Sequence, residues 1–285
     1  MRNFYSSIYL ALFLCVGLMN CNIINPHEPT PTYIHIDSFS FIPNPNDGSP
    51  SHNINTVWAY YNNSPVGVFD LPATFPVIAS GTGTLELAPG IAINGMNDFE
   101  TPYPFYTFDT FMFTAQPGKV INHKPVTTYT AGCNVVIISD FNAGIPLFDL
   151  DYGTAYMTTT NVDSLEFDGS PVGEIVLNTA NDSSIDSSIN SFSIDSAGNS
   201  FIEFNYKSTV PFYVGLQGVL GATGEISTSP TFLIGIYPSA TWNKFYLNTA
   251  PFASQTKATN YRFYVKAPGG QAGKLLLDNI KRVSY

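Results

Sequence analysis

Between residues 33 and 130 apolar and polar side chains alternate in short runs broken by turn residues. No stretch there holds a period of about 3.6 residues long enough to bury one face of a helix. Strands are therefore the way this chain can hide apolar surface. Tyr33 to Phe41 reads as a first strand, and Asn55–Tyr61 with Pro65–Leu71 reads as a hairpin. Its turn, Asn62-Asn63-Ser64, opens on two residues that tolerate positive φ. Gly83–Leu87 and Phe108–Phe113 continue the pattern, the latter turning at Pro117-Gly118. Composition agrees: charged residues are only 11%, beside 22 Gly, 21 Pro and 17 Tyr, a turn-rich and aromatic usage that favours sheets.

The small, polar run Thr127–Cys133 separates two strand-rich blocks, so we expect units at 33–130 and 131–285. In the second block, strands are expected at Val135–Asn142, Phe201–Lys207, Pro211–Leu216, Trp242–Asn248, Tyr261–Lys266 and Leu275–Ile280. Residues 178–200 are Ser-, Asn- and Asp-rich and read as a solvated connection; Asp182, Asp186 and Asp195 lack the spacing of a calcium loop.

Two resemblances follow from these segments. Val57–Leu87, with Leu71-Pro72-Ala73-Thr74-Phe75-Pro76-Val77 between hairpin and next strand, is similar to the small surface-layer β-sandwiches of the PEGA type. The second block, with Asp140-Phe141-Asn142 near its start and Leu277-Asp278-Asn279-Ile280 near its end, resembles the galactose-binding-like jelly rolls of carbohydrate-binding modules. The expected fold class is all-β: two β-sandwich domains, the second a jelly roll, after a signal peptide and a short Pro-rich tether. The second resemblance implies a calcium ion tying first and last strands. Asp140, Asn142 and Asp278 would be its ligands, weakened because Asn142 stands where the family has a Glu. Turn and edge residues bonding nearby backbone is the favoured alternative, so structural calcium is the lesser expectation and no other cofactor is implied.

The N-terminus carries Arg2 and Asn3 before the apolar run Ile8–Met19, then Asn20-Cys21. That run is shorter than the roughly 20 residues a spanning helix needs, and it sits behind a basic head, so 1–20 reads as an export signal. Leu18 and Cys21 resemble a lipoprotein box, and Asn20 departs from its usual small residue; the looser form resembles lipoproteins of the Bacteroidota. Cys21 is the expected lipidation site, and the membrane a partner through that lipid. Pro26, Pro29 and Pro31 make 21–32 an extended tether. An outer-membrane envelope location follows, and Glu28 as the only acid in the tether leaves periplasmic and surface faces both open.

Losing Arg2 with the signal takes the formal charge from −10 to −11, and no basic stripe is present, which excludes nucleic acid as a partner. With Cys15 in the signal and Cys21 lipidated, Cys133 can form no intrachain disulfide. His27, His35, His52 and His123 accompany no nucleophile elbow, no Cys–His pairing and no zinc-type motif. Paired carboxylates drawn from Glu166, Glu174, Glu203 and Glu225 are the only route left to a glycosidase, and the chain is read as non-catalytic. Sugars offer apolar C–H faces to aromatic rings and hydroxyls to amides, so Tyr152, Tyr156, Tyr213, Tyr237 and Trp242 are the candidate ligand platforms. Tyr103-Pro104-Phe105-Tyr106 either binds or plugs one end of the first sandwich. Two classes stay open: a glycan-binding or adhesive lipoprotein, and an assembly lipoprotein contacting an envelope protein.

Overall fold

Alternation becomes strands almost everywhere in a computed structural model that describes residues 28–98, 100–162, 165, 167–195, 198–220, 225–226, 232–253 and 258–285. The export signal, Cys21 and most of the tether lie outside the described residues, as does Glu166; the side chain of Glu225 does too. Among the described residues no helix is long and apolar enough to cross a membrane.

The first unit comprises β1 (Thr32–Ile36), β2 (Ser40–Phe41), β3 (Ile54–Tyr61), β4 (Ser64–Asp70), β5 (Ala73–Val77), β6 (Thr82–Ala92), β7 (Glu100–Pro102), β8 (Asp109–Thr114), β9 (Val120–Asn122) and β10 (Val126–Thr127). They pair as β4-β3-β6-β7 with β8 beside β6, as β5-β1-β9, and as β10-β2. The expected hairpin is there, with Asn62 and Asn63 at φ 48° and 62°, the left-handed values its turn demands. The single first strand is not: the chain breaks after Ile36, and Ser40–Phe41 pairs in another sheet. Phe39 and Phe41 are both buried, and the break lets each reach the core.

The second unit comprises β11 (Asn134–Ser139), β12 (Phe148–Gly153), β13 (Thr158–Thr160), β14 (Val172–Leu177), β15 (Ser184–Ser188), β16 (Ser200–Ser208), β17 (Phe212–Leu220), β18 (Glu225–Ile226), β19 (Phe232–Ile236), β20 (Ser239–Asn248), β21 (Ala258–Ala267) and β22 (Gly273–Ser284), with a one-turn helix α1 (Ala250–Ala253). One sheet runs β13-β14-β22-β16-β20 with β11 beside β22; the other runs β12-β15-β21-β17-β18 with β19 beside β17. Ile202, Phe204, Leu247 and Leu277 of the first meet Val214, Leu216, Phe263 and Val265 of the second in one core. Each such side chain, fully buried, contributes about 1.5–3 kcal/mol. A second sandwich follows, as expected.

One finding corrects the sequence reading. The Ser-rich stretch is not all solvated connection, because Ser184–Ser188 forms β15, inside a sheet and almost wholly buried. Small polar side chains hide a strand pattern from a hydrophobicity argument, yet they pack where their hydroxyls find partners: Ser184 and the Met157 N–H both donate to buried Asp186. The first unit packs directly against the second. Phe201, Tyr246 and Val283, on the outer face of the sheet containing β16, β20 and β22, belong to the core of the first unit.

Tyr103-Pro104-Phe105-Tyr106 forms that junction. Tyr103 meets Phe201 edge-on at 5.1 Å and 90°, and Tyr106 hydroxyl lies 3.2 Å from that of Tyr246. Beneath them Glu203 is fully buried. Its carboxylate accepts from Tyr103 (2.8 Å) and Tyr129 (3.0 and 3.1 Å) and faces Lys244 Nζ at 2.9 Å and Lys281 Nζ at 3.8 Å. Burial alone would push the Glu203 carboxyl up, but the two ammonium groups outweigh it and hold it below its ordinary value. We call this the covered sheet.

Candidate functional site

The opposite sheet turns its outer face away from the first unit, and ladder register decides what that face displays. Paired residues of antiparallel strands share a face. Tyr152 pairs with Ile185, Ile185 with Lys266, Lys266 with Tyr213, and Tyr213 with Gly235. Four strands thus set Tyr152, Ile185, Lys266 and Tyr213 in one transverse row, its two tyrosines three strand spacings or about 14 Å apart. Tyr152 is 71% exposed and Tyr213 39%. Ile236 and Phe212, the neighbours pointing the other way, are buried in the core.

A second row, Asp149, Ser187, Tyr264, Gly215 and Leu233, runs beside the first. Arg262 reaches toward Asp149 at 3.7 Å. Burial pushes the Asp151 carboxyl up, against a Ser187 hydrogen bond and the Arg262 charge that pull it down. Tyr264 is likewise raised, by burial and then by Asp151. The face therefore offers aromatic surface at both ends of one row and, beside it, the opposite charges of Asp149 and Arg262, while Ser187 and Tyr264 are buried.

At the β19 edge the row ends in a pocket of about 170 Å³ between Tyr213 and Tyr237, floored by Gly235 and Ile236. A Cβ at Gly235 would stand 3.2 Å from the Tyr213 ring, so the glycine is what lets that ring lie across β19. Tyr237 is 86% exposed. Three of the five expected platforms, Tyr152, Tyr213 and Tyr237, are thereby brought to one surface. Tyr156, exposed, sits in the link after β12, beyond the row. Trp242 lies on β20 of the covered sheet, half-buried, its ring 5.1 Å from Phe167. Ile185, Lys266 and Tyr264 were not expected from sequence, because their meaning depends on a register that no local motif encodes.

The residues expected for calcium lie at the other side of the sandwich. Asp140, Asn142, Asp168 and Asn279 line one pocket of about 460 Å³. Asn142 donates its backbone N–H (3.2 Å) and its side-chain amide (3.0 Å) to Asp140. Asp278 is buried behind them, each oxygen accepting from Asn279, at 2.7 and 3.0 Å. Its carboxyl is pushed up to about 7, first by burial and then by Asp140 and Asp168. A hard cation wants six to eight oxygens. The pocket offers two carboxylates, Asp140 and Asp168, beside the amides of Asn142 and Asn279, and among the described residues no group of three or more His, Cys, Asp or Glu is arranged to hold a metal.

Of the glycosidase candidates only Glu174 and Glu203 have described side chains, and those two do not share a cleft. Glu203 is sealed between the units, and Glu174 is ion-paired to Lys274 at 2.7 Å. Burial raises the Cys133 thiol to about 12, so at neutral pH it stays protonated.

No protein-family model matches the chain, and no curated protein matches it. Solved structures do. The family 11 carbohydrate-binding module of a cellulosomal cellulase of Clostridium thermocellum is 16% identical, over 53% of this chain and 95% of that one, with a TM-score of 0.38. A family 30 carbohydrate-binding module of another cellulosomal cellulase of the same organism is 10% identical, over 52% and 96%, at 0.41. The enzymatically active domain of tailspike protein 4 of bacteriophage CBA120 is 16% identical over 58% of this chain, at 0.37. This chain spans 26% of that domain's length. Scores this low leave function to the chain's own surface.

Proposed function

We propose that this chain is a non-catalytic glycan-binding or adhesive protein, held at the outer membrane by a lipid on Cys21, and that the open sheet is its reading face. The observation that carries the reading is the row Tyr152, Ile185, Lys266 and Tyr213. Its rings can stack on the C–H faces of pyranoses, and Lys266, Asp149 and Arg262 can bond the hydroxyls between them. A flat row of about 14 Å suits the interior of an extended polysaccharide. A panel of soluble polysaccharides in affinity electrophoresis tests it: at least one should retard the wild-type chain, and Tyr213→Ala should migrate freely. If no polysaccharide retards the wild type, or Tyr213→Ala is retarded equally, the reading fails.

Anchoring has its own check. Cys21→Ala should leave the membrane fraction; a variant that stays there with unchanged mobility would remove the lipid from the account.

A second reading, contact with an envelope protein, draws on the first unit. On the outer face of β3, β4, β6 and β8, Val68 is 46% and Met112 75% exposed, and Tyr60 and Phe108 lie nearly parallel (4°) with centroids 6.4 Å apart. Crosslinking on intact cells with wild type and Met112→Lys tests this: a specific adduct lost in the variant would place a partner there.

A further inference from the structure

Between the two units lies a cleft of about 560 Å³, within the range of about 300–1,000 Å³ common for small-molecule sites. It meets the open face only at its rim, where Gly235, Ile236 and Tyr237 line both this cleft and the small tyrosine pocket. Its lining is amide-rich: Asn53, Asn55, Asn94, Asn97 and Asn243 all border it. One wall is formed by residues in left-handed backbone. Asn94 (φ 55°) accepts from the Asn248 N–H at 2.8 Å, and Gly95 (φ 70°) lies so close to Phe245 that a Cβ there would stand 2.8 Å from the ring.

Much of the amide chemistry is already committed. Asn53 donates to Asn243 (3.1 Å) and to the Lys244 carbonyl (3.3 Å), and Asn243 donates to the Tyr206 hydroxyl (3.3 Å). Asn55 donates to Glu100 at 2.6 Å, but its side-chain carbonyl is buried with no donor in reach. A buried acceptor left without a donor is costly, and it marks where an arriving O–H or N–H would be held. Among the described residues the one cation lining the cleft, Lys244, has its ammonium fully buried and spent on Glu203. A phosphate or carboxylate would thus find no counter-charge, on a chain of formal charge −10.

We propose that this cleft is a second ligand site, for a single neutral sugar unit. Hydroxyl donors reach the Asn55 carbonyl, the exposed Asn97 amide serves as a partner at the mouth, and Tyr237 supplies a ring at the rim. The site does not require that the open face bind anything.

Saturation-transfer NMR on the full-length chain with glucose, galactose, mannose, rhamnose and N-acetylglucosamine, each alone, tests the proposal. At least one should bind saturably, and Asn55→Ala should weaken it about tenfold, the loss expected for one hydrogen bond. Should Asn55→Ala misfold through its lost bond to Glu100, the exposed Asn97→Ala, expected to weaken binding several-fold, decides in its place. Tyr213→Ala should keep monosaccharide binding while losing retardation by polysaccharide, which separates this site from the open face. The proposal is overturned if no monosaccharide saturates, as in a cleft that holds water only. It is equally overturned if Tyr213→Ala removes monosaccharide binding and the two Asn variants do not.

Discussion

The two sheets of the second sandwich share one core and differ in their outer faces. The covered sheet presents Phe201, Glu203, Tyr246 and Lys281 to a neighbouring unit that seals them, whereas the open sheet presents Tyr152, Lys266 and Tyr213 to solvent. Both faces are rich in tyrosine and charge. What separates them is desolvation: the same residue types become a structural lock when buried with partners and a recognition surface when left wet.

Breaking the lock should cost most. Glu203→Ala leaves two buried ammonium groups without their anion, and we expect a loss of about 3–5 kcal/mol in urea unfolding. Phe105→Ala, which empties a fully buried site against Phe201, should cost a similar 3–5 kcal/mol. On the open face the balance inverts. Lys266→Ala should change stability by no more than about 0.5 kcal/mol while weakening glycan binding. Lock-sized destabilisation from Lys266→Ala would erase the distinction between the faces.

The covered side should also carry a pH signature. Asp278, raised to about 7 from 3.8, binds its proton more tightly in the fold. Its contribution is full below about pH 4 and is lost as pH rises toward 7. Lys281, lowered to about 7 from 10.5 chiefly by burial and by Lys244, works oppositely: the unfolded chain binds more protons between 7 and 10.5, so stability climbs there. Unfolding free energy should pass through a minimum near neutrality. Asp278→Asn should flatten the acid-side slope and leave the alkaline one; an unchanged slope would remove Asp278 as its source.

Much of the fold was legible in residues. Asn62-Asn63 announced its hairpin, and apolar runs such as Phe201–Lys207 and Leu275–Ile280 announced buried strands. β15 was not, because Ser184–Ser188 buries hydroxyls rather than hydrocarbon. The site was legible only in part. Tyr152, Tyr213 and Tyr237 were identifiable as aromatic candidates, but their assembly depends on the order of five strands between residues 148 and 267. Trp242, the most conspicuous aromatic in the second unit, went to the covered sheet against Phe167. Glu203 carries no local sign of its role, since both lysines and both tyrosines reach it from distant strands.

The most direct measurement is a comparison of Tyr152→Ala/Tyr213→Ala with Trp242→Ala, for affinity toward whichever polysaccharide retards the wild-type chain. The account predicts that the double variant loses binding by at least tenfold, about 1.4 kcal/mol, with its fold intact, and that Trp242→Ala binds as wild type. Loss in Trp242→Ala with the double variant unaffected would place recognition on the covered sheet and contradict it.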